Sequence, residues 1–167
     1  MADLSWGKPR IFIQKLGEVS PKWKEIPTPV ENSTQLNPTK GDKKEAKLEG
    51  GENEAVKYGY NNYELVYQIR RALGKTMPIE HTDGVVQGDY KVALQPENPE
   101  VDGFIIDRST VSVSDPFTTE EGSVWEYTHD VLKPDDGSKK VKWGKISVTG
   151  QGDTIQVTGS GGDFGAD

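Results

Sequence analysis

Cysteine is absent from the 167 residues, which excludes a disulfide framework and a thiolate site. Histidine is scarce: His81 and His129 fall on different predicted elements, and neither has a sequence neighbour that completes a metal or triad motif. Only 32% of the chain is hydrophobic, and no span approaches the ~20 apolar residues of a membrane-crossing helix. No membrane partner is therefore expected. The opening "MADLSWGKPRIFIQKLG" has only a short apolar run, Ile11 to Ile13, and does not read as a signal peptide. Positive charge is in deficit, with 20 Lys and Arg against 27 Asp and Glu, a net charge of −7. A field of that sign repels phosphate backbones, so specific nucleic-acid binding is disfavoured. Phosphate-cradling loops, nucleophile elbows and two-histidine helix motifs are missing too. No catalytic residue, cofactor or metal is expected, and the chain does not read as an enzyme.

Glycine and the aromatics are plentiful. Nineteen glycines and ten prolines point to solvated loops, while four Trp, six Tyr and four Phe lie in apolar runs able to pack. The decisive stretch is "KKEAKLEGGENEAVKYGY", residues 43 to 60. Its composition favours a helix, yet Ala46 and Leu48 alternate with Glu45, Lys47 and Glu49, which is strand periodicity. Alternation resumes at Val56, Tyr58 and Tyr60, so Gly50 and Gly51 read as a tight hairpin turn supplying positive φ. The hairpin is nearly all charge, with Lys40, Lys43, Lys44, Lys47 and Lys57 against Asp42, Glu45, Glu49, Glu52 and Glu54, a local net charge of zero. So polar a strand pair cannot support itself in water; it extends a larger sheet or orders against a neighbour.

"NNYELVYQIRRALGK" follows, with Tyr63, Leu65, Tyr67 and Ile69 in alternation, although Leu65, Val66, Ile69 and Leu73 would also form a helical stripe. Its aromatic and β-branched content favours a strand, with a short helical turn as the alternative near Arg71 to Gly74. Further strands are expected at "RIFIQKL", "WKEIP", "DYKVALQP", "GFIIDRSTVSVSD", "SVWEYTHDVLK" and "KKVKWGKISVT", punctuated by "TDG", "PENPEVDG", "TEEG" and "PDDG". This predicts a mainly β chain: an antiparallel sandwich or barrel with a long charged hairpin and at most one short helix. One domain over residues 1–150 is expected, with 27–60 as extended loop and hairpin. The Gly-rich residues 151–167 should be a flexible tail. Leu65, Ile69, Val111, Val113, Trp125 and Tyr127 are the predicted core, and His129 is predicted to pack on or beside it.

The order charged hairpin, apolar strand, "DGVVQGDY", then "GFIIDRSTVSVSDPFTTEEGSVWEYTHDVLKP" resembles phage tail tube proteins and the related tubes of contractile injection systems, over roughly residues 30 to 135. The resemblance implies a structural virion protein made in the host cytoplasm. Such a subunit forms rings, commonly hexameric, that stack into a tail tube through which DNA passes. Its partners would be further copies of itself and other tail proteins. A hairpin that bridges to the adjacent subunit would explain the polar residues 43 to 57. These folds usually carry a helix against the barrel; residues 69 to 76 are the best place for a short one, and its absence would weaken the match. The alternative is a monomeric β-sandwich that binds carbohydrate on Trp125, Tyr127, Trp143 and Tyr90.

Overall fold

Period-two alternation dominates the chain, and the computed structural model, which describes residues 7–164, is built from twelve strands. They are β1 (Arg10–Lys15), β2 (Lys24–Glu25), β3 (Gln35–Thr39), β4 (Lys43–Lys47), β5 (Asn53–Tyr58) and β6 (Asn62–Arg70). There follow β7 (Val85–Gln95), β8 (Gly103–Ser114), β9 (Phe117–Thr118), β10 (Gly122–Val131), β11 (Val141–Thr149) and β12 (Gln156–Ser160). The main sheet runs β2–β1–β7–β8–β10–β6–β3, antiparallel throughout.

Strand β8 is where the sheet forks. Its first residues, Gly103 to Ile106, pair with β11, whereas Ser109 to Ser114 pair with β10. The neighbours on that side of β8 therefore diverge, and the sheet stays open instead of closing into a barrel.

The apolar runs fill two cores on opposite faces of the β1–β7–β8 layer. Ile11, Ile13, Val92, Phe104 and Ile106 point into the larger core, closed by Leu65, Tyr67, Ile69, Trp125 and Tyr127 of β6 and β10. Phe12, Ala93 and Ile105, the intervening residues on three paired strands, point into the second core with Trp23, Ile146, Ile155 and Val157. Strands buried on both faces need continuous apolar runs, and "RIFI" and "GFII" supply them. All six residues predicted as core are buried, from fully enclosed Leu65, Ile69 and Tyr127 to Val113 at 7% exposure.

The reading of residues 63–70 as strand agrees with β6, and the short helix that the family resemblance would ask for at 69–76 is absent; among the described residues the only helical turns are two short 3-10 turns, Gly152–Thr154 and Gly162–Phe164. Pairing of Ile69 with Trp125 and Arg70 with Val124 carries β6 as far as Arg70, and Leu73 then stands fully in solvent on a turn at Gly74. Two expectations need correction. First, residues 27–42 do not all leave the sheet, because β3 pairs with β6 as an edge strand, the setting in which Pro38 is tolerated. Secondly, the Gly-rich end is not a tail as far as residue 164. Strand β12 pairs with β11, Ile155 and Val157 are buried, and Phe164 packs against the second core. The glycines serve that packing: a Cβ on Gly144 or on Gly159 would lie 2.5 Å from the Phe164 ring. Residues 165–167 fall outside the described range, as do residues 1–6 of the expected domain.

Candidate functional site

The charged hairpin is the distal end of a longer ribbon. The partnered pairs of β3 with β6, from Gln35 opposite Val66 to Thr39 opposite Asn62, continue in unchanged register as Lys43 opposite Tyr58 and Ala46 opposite Ala55. Between the halves lies a pinch at Gly41 and Gly59. A Cβ on Gly41 would sit 2.2 Å from the Gly59 carbonyl oxygen, so no side chain fits there. Two hydrogen bonds span it: Gly59 N–H donates to Asp42 O at 2.8 Å, and Gly41 N–H to Asn61 Oδ1 at 3.3 Å. Beyond the pinch β4 and β5 form a two-stranded sheet of their own. The ribbon's base is braced instead, by Lys140 Nζ donating to Asn61 O at 2.9 Å and Lys133 Nζ standing 4.8 Å over the Tyr60 ring.

Every residue of β4 and β5 is exposed. Gly50 and Gly51 reverse the chain at φ 94° and 88°, a region closed to most side chains, and Gly51 N–H donates to Leu48 O at 3.1 Å. The two faces differ. One carries Glu45 between Lys43 and Lys47 as an ion-paired ladder, with Lys43 also 6.0 Å over the Tyr58 ring and Val56 opposite Glu45. The other sets Lys44 directly opposite Lys57, flanked by the small pair Ala46 and Ala55. Like charges directly opposed are destabilising, and this narrow basic pair stands apart from the ion-paired ladder of Lys43, Glu45 and Lys47. Glu49 and Glu52 flank the turn and Glu54 lies at the bulge in β5, which makes the tip acidic.

Of the residues singled out in sequence, His81 forms an ordinary turn, its Nδ1 accepting from Gly84 N–H at 2.9 Å. Among the described residues no group of His, Asp and Glu is arranged to hold a metal. His129 is fully buried at the centre of a hydrogen-bonded chain across four strands. Ser109 Oγ–H donates to Tyr90 O at 2.9 Å, which leaves Oγ to accept from His129 Nδ1–H at 3.1 Å. Nε2 then accepts from the Tyr67 hydroxyl at 2.9 Å. Burial lowers the His129 pKa to about 3 and raises that of Tyr67, so both are neutral in the folded chain. Their role here is to satisfy one another and to fix β6, β7, β8 and β10 together.

The four aromatics of the proposed sugar platform do not share a surface. Trp125 and Tyr127 are buried, Tyr90 is half-buried, and Trp143 alone stands exposed. Arg71 lies 5.0 Å from the Trp125 ring and covers it from the loop side. The sequence reading did not find the pinch. "KGD" and "YGY" carry its two glycines, but only the antiparallel register brings them side by side, Gly59 opposite Asp42 and Gly41 one position along. Compared with known proteins, the chain matches no protein-family model and no curated protein sequence.

Proposed function

We propose that this chain is a structural subunit that self-assembles through the β4–β5 arm into stacked rings, a tail tube of the phage type through which DNA passes. The observation that carries this reading is an arm of two strands exposed along its whole length, set on a glycine pinch, with no core of its own. An isolated two-stranded hairpin is marginal in water, so its ordering calls for a second surface. The basic face of Lys44 and Lys57 favours an acidic partner, and a second copy of a chain with net charge −7 is one. Because the arm projects from the subunit's own sheet, an arm-to-body contact joins unlike surfaces, the head-to-tail type that closes rings or propagates tubes. The same acidity suits a lumen along which DNA slides without adhering. The missing helix removes one point of likeness to tail tube proteins, and the assembly reading therefore rests on the arm. On this reading the protein has no reaction to catalyse and resides in the virion tail.

Two variants test it by sedimentation at rising concentration and negative-stain microscopy. Gly51→Pro forbids the positive φ and removes the Gly51 N–H donor. Lys44→Glu with Lys57→Glu keeps the hairpin and reverses its basic face. The parent should form rings or tubes at concentrations where both variants remain monomeric with unaltered cores. Parent and variants polymerising alike, or a parent that stays monomeric at every concentration and salt, would overturn the proposal.

A further inference from the structure

The fork in the sheet leaves a groove of about 650 Å³ between the β3–β6 edge and β11. Its floor comes from two cross-strand rows. Leu36 opposite Leu65 forms one, and Leu94, Phe104 and Trp143, partners across β7, β8 and β11, form the other. The Trp143 indole, 43% exposed, leans on Phe104 at 5.0 Å between ring centroids with a 59° tilt. One side of the ring is thus held, and the remainder is open to the groove.

The rim is preformed. Val30 N–H donates to Gln68 O at 2.7 Å, and Ser33 Oγ both donates to Val30 O at 2.6 Å and accepts from Gln68 N–H at 3.2 Å. These bonds pin the loop bearing Glu31 and Asn32 to β6, and Asp102, on the approach to β8, lines the same groove. Among the described residues the rim is rich in acceptors, with two carboxylates and an amide against a single cation, Lys8.

From this juxtaposition we propose that the groove is a binding site for a neutral saccharide, one or two pyranose rings in size. The volume lies within the ~300–1,000 Å³ of small-ligand sites, which combine an apolar floor with a few converging polar groups. A pyranose presents an apolar C–H face, which suits the open side of Trp143, and a girdle of hydroxyl donors, which suits Glu31, Asn32 and Asp102. Anionic ligands such as nucleotides or fatty acids would meet two rim carboxylates in the field of an acidic protein. The site is independent of the arm, since the groove lies on the near side of the pinch, and it stands whether or not the chain assembles.

Saturation-transfer difference NMR on the full chain tests it, with methyl β-D-glucopyranoside, methyl α-D-mannopyranoside, N-acetyl-D-glucosamine and lactose at millimolar concentration and octanol as the apolar rival. Transfer to ring C–H protons of at least one sugar is expected. Trp143→Ala should weaken that binding about tenfold and Trp143→Phe should largely restore it. Asp102→Asn should weaken it about fivefold by removing charge from the accepting group. Circular dichroism verifies folding, and should Trp143→Ala unfold, Asp102→Asn on its exposed turn decides the matter. Gly51→Pro should bind as the parent does, which separates this site from the assembly reading. Silence from all four sugars, binding unaffected by Trp143→Ala and Asp102→Asn, or octanol displacing the sugar would each overturn the proposal.

Discussion

One ribbon with one register passes through this molecule and meets two fates. In its near half, β3–β6, Leu65, Tyr67 and Ile69 are fully enclosed because β10 pairs alongside and the β1–β7–β8 layer packs across. In its far half, β4–β5, the alternation persists but no layer lies over either face, and Val56 and Tyr58 stay in solvent. The backbone pattern is the same, so local periodicity accounts for the strands in both halves. Stability comes from the second layer, and only the near half has one.

The comparison can be broken from either end. The largest effect is expected from Trp125→Ala, which empties a buried site on the strand beside β6 and should cost about 3–5 kcal/mol by denaturant unfolding. A loss under about 1 kcal/mol would mean that the near half does not carry the fold.

Acid should act next, through the same half. His129 has a folded pKa of about 3 against an unfolded value near 6.5, so the unfolded chain binds more protons between these limits. Stability from this group is full above about pH 6.5 and falls as pH drops towards 3, with about 3 kcal/mol lost by pH 4. Melts from pH 7 to pH 4 should show a progressive decline that His129→Gln flattens. A parent profile no steeper than the variant's would remove the histidine from the account.

A smaller change probes the second core. Ile155→Ala, just before the C-terminal strand β12, should destabilise by about 2 kcal/mol. An unchanged melt would restore the picture of a free glycine-rich tail.

The smallest effect is expected on the arm. Val56→Ala should shift unfolding of the monomer by under about 0.5 kcal/mol, because nothing packs over that residue. Amide exchange at residues 43–58 of the monomer should run far faster than at 65–69. Equal protection in the two segments would dissolve the distinction between the halves.

The sequence by itself determined most of the strands and turns, though not β3 or β12. Alternation at Leu65, Tyr67 and Ile69, and again at Val111 and Val113, states which residues face inward, because a pleated strand sends successive side chains to opposite sides. Gly50 and Gly51 announced the reversal of a segment whose composition favours a helix. The acid excess and the missing catalytic patterns were equally plain.

What only tertiary structure decided is which segments meet. "RIFI" and "GFII" reveal burial on both faces once β7 lies between them, and "GSGGDF" becomes part of a core because Phe164 needs Gly144 and Gly159 to approach. The groove beside Trp143 and the pinch at Gly41 and Gly59 were likewise invisible. Each joins residues whose proximity depends on strand pairing, and pairing is a cooperative property of the whole sheet that no local window of sequence contains.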